Sequence, residues 1–176
     1  ILRWRTPAWV KKDEDRYIWY KQSILAAYEK YGYMVDYINP NVNEAWSGAG
    51  DVKYTKKFAK WIAAESTATI KDEKALELFR KIKLVVSDEA NVVSDSVAET
   101  MKSDQEFMDA VDVVGYHYKT ADDNNGGMKW LAEVVDKEVW NSEEQATFSN
   151  SAFRPATTDK APTVAGTGIG GSGSAL

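Results

Sequence analysis

Four short runs rich in β-branched and aromatic residues, separated by stretches of helical periodicity, constrain this chain most. The runs are Tyr33 to Ile38, Ile82 to Val86, Val111 to Tyr116 and Lys137 to Trp140. Their length and Val/Ile/Tyr content suit strands better than helices. Between them, Asp15 to Lys30 carries Ile18, Trp19, Ile24, Leu25 and Tyr28 at three- and four-residue spacing. Tyr54 to Glu65 puts Phe58, Trp61 and Ile62 on one face, and Lys74 to Arg80 adds Leu76 and Phe79. Val93, Val97 and Met101 form an i, i+4, i+8 stripe, and Met128 to Val135 makes a last short helix. Such stripes read as core faces. Strand alternating with helix implies parallel strands joined by right-handed crossovers.

Two architectures satisfy that pattern, a (β/α)8 barrel and an open doubly wound sheet. Gly48-Ala49-Gly50 follows the first run but lacks the rest of a dinucleotide or phosphate loop, which tilts the reading toward the barrel. At 176 residues the chain has room for one core but is short of the roughly 250 residues of a whole barrel. It opens at Ile1 and ends just after a Gly/Ser run, so the expectation is a part of a barrel cut from a longer gene. Residues 1–154 are read as the central part of a barrel catalytic domain. Residues 155–176, rich in Gly, Ser and Thr, are read as a loop leading toward a final strand that is not included. With sheet edges left unpaired, such a segment is expected to be poorly stable and inactive by itself.

Composition narrows the chemistry. A formal charge of −5 argues against a nucleic-acid partner, which wants a basic face. The absence of Cys excludes disulfides and thiolate chemistry, and a single His, His117, makes a zinc site or a Ser-His-Asp triad hard to assemble. No apolar run approaches the roughly 20 residues of a membrane span. Seven Trp and nine Tyr offer faces for stacking on sugars, though cores use them as well.

In a barrel the chemistry sits at the C-terminal ends of the strands. Here the first run leads into Asn39-Pro40-Asn41-Val42-Asn43-Glu44, and the second ends in Ser87-Asp88-Glu89. The third runs into Tyr116-His117-Tyr118, and the fourth ends in Asn141-Ser142-Glu143-Glu144. Acids, amides and aromatics collect at one end, as glycoside hydrolysis requires. In its retaining form one carboxylate attacks the anomeric carbon while a second, protonated, serves the leaving oxygen, with the two about 5–5.5 Å apart. Glu44 and Glu143 are candidates for that pair. Strand-end acids also cap helices, and Asp88 or Glu89 can do so before the helix carrying Val93. The Asp13-Glu14-Asp15-Arg16 run reads as a solvated helix start.

The motifs resemble those of the galactocerebrosidase family, glycoside hydrolase family 59, within a large clan of retaining (β/α)8 barrels. The similarity runs through Trp4-Arg5-Thr6-Pro7-Ala8-Trp9, then Asp36-Tyr37-Ile38 leading to Asn43-Glu44, then Val85-Val86-Ser87-Asp88. It continues through Val111-Asp112-Val113-Val114-Gly115-Tyr116-His117-Tyr118 and Trp140-Asn141-Ser142-Glu143-Glu144. Val42 departs from it, standing where the family usually has Trp, and Gln145-Ala146 replaces Phe-Ser. The resemblance implies that the visible part runs roughly from the end of barrel strand 3 to beyond strand 7. It also implies Glu44 as acid/base and Glu143 as nucleophile. Substrate contacts would come from Trp4, Asn43, His117 and Tyr118, with Asn43 on the sugar 2-hydroxyl. A satisfied structural role for His117 stays open, and Trp46 is a candidate to stack on an outer sugar. The activity implied is that of a retaining β-galactosidase acting on a carbohydrate or glycoconjugate, with neither metal nor organic cofactor. The rest of the barrel and possible β-sandwich domains would lie outside this segment, in a secreted or extracytoplasmic setting. A galactanase-like enzyme of the same clan and a non-catalytic carbohydrate-binding barrel are the alternatives.

Overall fold

Alternation along the strands explains how the sheet divides its side chains. In a computed structural model, which describes residues 2–3, 6–89, 91–117 and 126–143, the elements run in the order β1 (Leu2–Arg3), α1 (Asp13–Tyr31), β2 (Tyr37–Asn39), α2 (Ala49–Ala64), α3 (Glu73–Phe79), β3 (Lys83–Glu89), α4 (Asn91–Ser103), α5 (Gln105–Ala110), β4 (Val113–His117), α6 (Gly127–Glu133) and β5 (Glu138–Glu143). Ile38, Leu84, Val86 and Val114 point to the helices, while Asn39, Gly115, His117 and Ser142 share the opposite face. Successive strand side chains point to opposite faces, so a run alternating Val with Gly and His serves two environments at once.

Every neighbouring strand pair is parallel, and the sheet order is β1-β2-β3-β4-β5. A doubly wound sheet reverses direction at a switch point. This sheet winds one way, which is compatible with a sector of a barrel. Its non-helical face is concave: Tyr37 of β2 and Trp140 of β5 meet with ring centroids 4.6 Å apart, across two intervening strands.

The helices cover the convex face through two clusters. Tyr17, Tyr20 and Ile24 of α1, Tyr54, Phe58 and Ile62 of α2, and Phe79 of α3 close over Ile38 and Leu84. Val97, Ala98 and Met101 of α4, Phe107 and Leu131 close over Val86 and Val114. Each fully buried apolar side chain contributes roughly 1.5–3 kcal/mol, so these layers dominate the stabilisation. Among the described residues no helix is long and apolar enough to cross a membrane.

The boundaries differ from the sequence expectation at several places, β3 and β5 among them, which run on to Glu89 and Glu143. The first run is a strand only over Tyr37–Asn39. Gly32, at φ 76°, ends α1, and Met34 and Val35 then pack on the helical core as irregular chain. Helix α2 begins at Ala49, five residues before the periodic apolar face becomes visible. The six-residue α5 has no counterpart in the sequence expectation; Asp104 accepts a hydrogen bond from the Phe107 N–H at 2.9 Å, and Phe107 is wholly buried beneath it. The charged run Asp13-Glu14-Asp15 does occupy the first turn of α1.

Candidate active site

The turn after β2 is held at both ends. Asn41 is buried; its N–H donates to Asn39 Oδ1 at 2.9 Å, and its side-chain amide donates to Thr55 Oγ1 of α2 at 2.9 Å. At the far side the Trp46 N–H donates to Glu89 Oε1 at 2.8 Å, tying the turn to the end of β3. Between these anchors lie Asn43, half-buried, and Glu44, whose backbone is left-handed at φ 55°. A non-glycine residue in that region costs on the order of 1–3 kcal/mol and persists only where the surroundings impose it.

Strand β3 carries the second irregularity. Ser87 pairs with Gly115 and Glu89 with Tyr116, so Asp88 is an extra residue in a bulge. Ser87 and Asp88 both have positive φ, 69° and 54°. By simple alternation position 88 would face the helices, as Val86 does. The bulge instead turns the Asp88 carboxylate onto the concave face, where its side chain is 0% exposed. There it accepts hydrogen bonds from Asn39 Nδ2 at 3.0 Å and from Ser142 Oγ. His117 Nε2 lies 3.2 Å from its Oδ1. The sequence pattern allows Asp88 or Glu89 as a helix cap; in the fold Asp88 gathers β2, β4 and β5 instead, and Glu89 secures the turn bearing Glu44.

His117, the last residue of β4, is wholly buried. Its Nδ1 is 3.3 Å from Glu44 Oε1 and 4.0 Å from Glu143 Oε2. One donor atom from each of Glu44, His117 and Glu143 lies within 4.8 Å of the others. Glu44 and Glu143 are partly accessible, with side chains 42% and 34% exposed. Two strands separate the elements that carry them, and concavity closes the gap. Two carboxylates around an imidazole also have the donor atoms for a small divalent cation. As a pair, they have the reach to flank one bond of a bound sugar.

Of the residues singled out from sequence, Glu44, Glu143 and His117 come together, with Asn43 on the same turn as Glu44. Trp4 and Tyr118 lie outside the described residues. Trp46 is half-buried: it packs toward Phe107 at 6.4 Å between centroids, and its Nε1 is buried without a hydrogen-bond partner among the described residues. Sequence reasoning missed the supporting set of Asn39, Asp88, Gly115 and Ser142. The available signal was position, since all four lie at or near strand C-termini. A Cβ on Gly115 would stand 2.6 Å from Asp88 Oδ1 and 2.7 Å from Ser142 Oγ, so the absence of a side chain is what lets those two meet.

Comparison with known proteins bears on the fold and on the family. The crystal structure of SrfJ from Salmonella typhimurium is similar over 82% of this chain and 35% of its own, with a TM-score of 0.61 at 16% identity. The chain thus spans about a third of the length of that structure, and the likeness concerns the fold alone. No curated protein matches the chain. The model of glycosyl hydrolase family 59 matches residues 1–164. Over that span, nearly the whole chain, the match is to one family, and the chain belongs to glycosyl hydrolase family 59.

Proposed function

We propose that this chain carries the catalytic pair of a retaining glycoside hydrolase acting on β-galactosidic bonds, with Glu143 as nucleophile and Glu44 as acid/base. The observation that carries the reading is the approach of Glu44 and Glu143 to within 4.8 Å about His117. That separation suits double displacement, whereas inversion needs about 6.5–9.5 Å to admit a water between the acids. Family membership supports glycoside hydrolysis as the reaction class.

In the first step the Glu143 carboxylate attacks the anomeric carbon, and the glycosidic C–O bond breaks. Glu44 gives its proton to the departing oxygen, leaving a glycosyl ester on Glu143. In the second step Glu44, now a carboxylate, takes a proton from water as that water attacks the anomeric carbon. The ester oxygen departs, so Glu143 is restored and the β configuration is retained. Asn43, beside Glu44 in the same turn, is assigned to the sugar 2-hydroxyl. Trp4 and Tyr118 are assigned to the walls of the sugar pocket, His117 to the support beneath the two glutamates, and strands β1 to β5 to barrel strands three to seven. Galactose and a glycoconjugate aglycone rest on the resemblance in the strand-end motifs.

The test is hydrolysis of aryl β-galactoside by the full-length protein beside Glu143→Gln and Glu44→Gln. Loss of aryl release by several orders of magnitude in Glu143→Gln is the expected result. Release that survives Glu143→Gln would overturn the assignment, and cleavage only of other aryl glycosides would replace galactose while keeping the mechanism.

A further inference from the structure

We infer that the outer surface of α1 carries an auxiliary carbohydrate-binding site, where the Trp9 indole stacks on a neutral hexopyranose unit while Asp15 and Gln22 hydrogen-bond its hydroxyls. The inference is independent of the roles assigned to Glu44 and Glu143, and draws on the family only because a glycosyl hydrolase meets glycans. Tyr17, Tyr20 and Ile24 turn α1 toward the core. At about 3.6 residues per turn, Asp15, Ile18 and Gln22 then fall on the roughly opposite side, away from the sheet. All three are exposed. In a barrel the helices form the outer ring, so further strands beside β1 would leave this side of α1 facing outward.

Trp9 reaches that surface from the segment between β1 and α1. The Val10 N–H donates to the Pro7 carbonyl at 2.8 Å, closing a turn, and Val10 itself is buried. Its anchoring leaves Trp9 76% exposed. An indole held largely in water forgoes the stabilisation that burial of so large an apolar surface gives, and a stacking partner restores it. Between Trp9 and α1 lies a pocket of about 240 Å³, lined also by Val10, Asp15, Ile18, Trp19 and Gln22. That is below the roughly 300–1,000 Å³ of pockets for drug-sized ligands and suits a single sugar ring.

The lining supplies both halves of sugar recognition. Trp9 and Ile18 offer apolar surface to the C–H face of a pyranose. The Asp15 carboxylate accepts from hydroxyls, and the Gln22 amide both donates and accepts. Neither side chain is engaged in another hydrogen bond or ion pair among the described residues. No cationic residue lines the pocket, which disfavours an anionic ligand. A cationic ligand would use the carboxylate and the ring face but leave the Gln22 amide donors idle, and Lys11 and Lys12 stand exposed close to Trp9 in the chain.

The experiment uses the full-length protein labelled with 5-fluorotryptophan, the Trp9 ¹⁹F signal being identified by its loss in Trp9→Phe. Methyl β-D-galactopyranoside, methyl β-D-glucopyranoside and methyl β-D-mannopyranoside are titrated separately. A saturable shift of the Trp9 signal with at least one of them is expected. In Asp15→Ala and in Gln22→Ala its half-saturation concentration should rise about 2–10-fold, the worth of one hydrogen bond. KM for whichever aryl glycoside the wild type cleaves should stay unchanged in both variants. A Trp9 signal that no sugar moves, that responds equally well in both variants, or that tetramethylammonium moves and sugars do not would overturn the inference. A KM that rises in step with the half-saturation concentration would merge the pocket with the catalytic site and overturn it as well. So would a Trp9 signal indifferent to exchange of H₂O for D₂O, which would place another part of the protein over this face.

Discussion

Tyr37 and Trp140 meet at 63° with centroids 4.6 Å apart, although the strands that bear them are separated by β3 and β4. A flat sheet would hold strands three places apart about 14 Å from each other, at roughly 4.8 Å per step. The contact is therefore a direct sign of curvature. The same curvature carries Ser142 of β5 to Asp88 of β3, and Glu143 toward the turn after β2.

If curvature depends on this ring pair, the two positions should be energetically coupled. A double-mutant cycle of Tyr37→Leu and Trp140→Leu, read by denaturant unfolding, is expected to give about 1 kcal/mol of interaction. Additive losses would mean that the rings touch without holding the strands together.

Gly115 should tolerate no side chain. Gly115→Ala places a methyl against Asp88 and Ser142, and overpacking of this kind costs about 1–3 kcal/mol. Because the displaced groups support His117, turnover should fall further than stability alone accounts for. Thermal unfolding and kcat/KM measured on one preparation would separate the two effects.

Ser87 combines a φ of 69° with a buried hydroxyl that has no hydrogen-bond partner among the described residues. Leaving such a group unsatisfied costs about 1–3 kcal/mol, and left-handed backbone on a side-chain-bearing residue about 1–2 kcal/mol. Glycine in the unfolded chain returns only about 0.5–1 kcal/mol of that as entropy. Ser87→Gly is thus expected to stabilise by about 1 kcal/mol or more, raising the melting temperature by roughly 2–4 °C. A lower melting temperature would show that the hydroxyl is satisfied in solution.

Glu65 links the end of α2 to α1, away from the site. It accepts from Tyr17 Oη and Lys21 Nζ, each at 2.6 Å, and from Thr69 Oγ1 at 2.5 Å. Burial pushes its carboxyl upward, but the hydrogen bonds from Lys21, Thr69 and Tyr17 together outweigh it and hold the group below its ordinary 4.5. A folded value below the unfolded one means the stabilisation is complete above pH 4.5 and is lost as pH falls through the folded value. Glu65→Gln should cost about 2 kcal/mol at neutral pH and flatten the acid limb of the stability curve below about pH 4.5. An unchanged acid limb in chemical denaturation would remove Glu65 from the account.

Strand and helix order, the parallel sheet and the faces that pack are legible in the residues, because apolar periodicity is local and the core obeys it. The stripe Val93-Val97-Met101 and the face Phe58-Trp61-Ile62 lie where that periodicity puts them, against the sheet. Glu44, Glu143 and His117 are likewise visible as strand-end residues, since a parallel sheet sends all such ends to one side. Which residues hold them is not written locally. Asp88 has the pattern of a helix cap, and only a bulge of one residue turns it inward. Gly115 resembles any strand glycine until side chains from two other strands converge on the space it leaves. Trp46 follows the first strand in sequence, and only the fold brings Phe107 of a distant helix beside it. These outcomes depend on register, bulges and curvature, which arise between segments far apart in the chain. Local pattern determined the elements and the side of the sheet on which chemistry sits; the meeting of strands decided which groups touch.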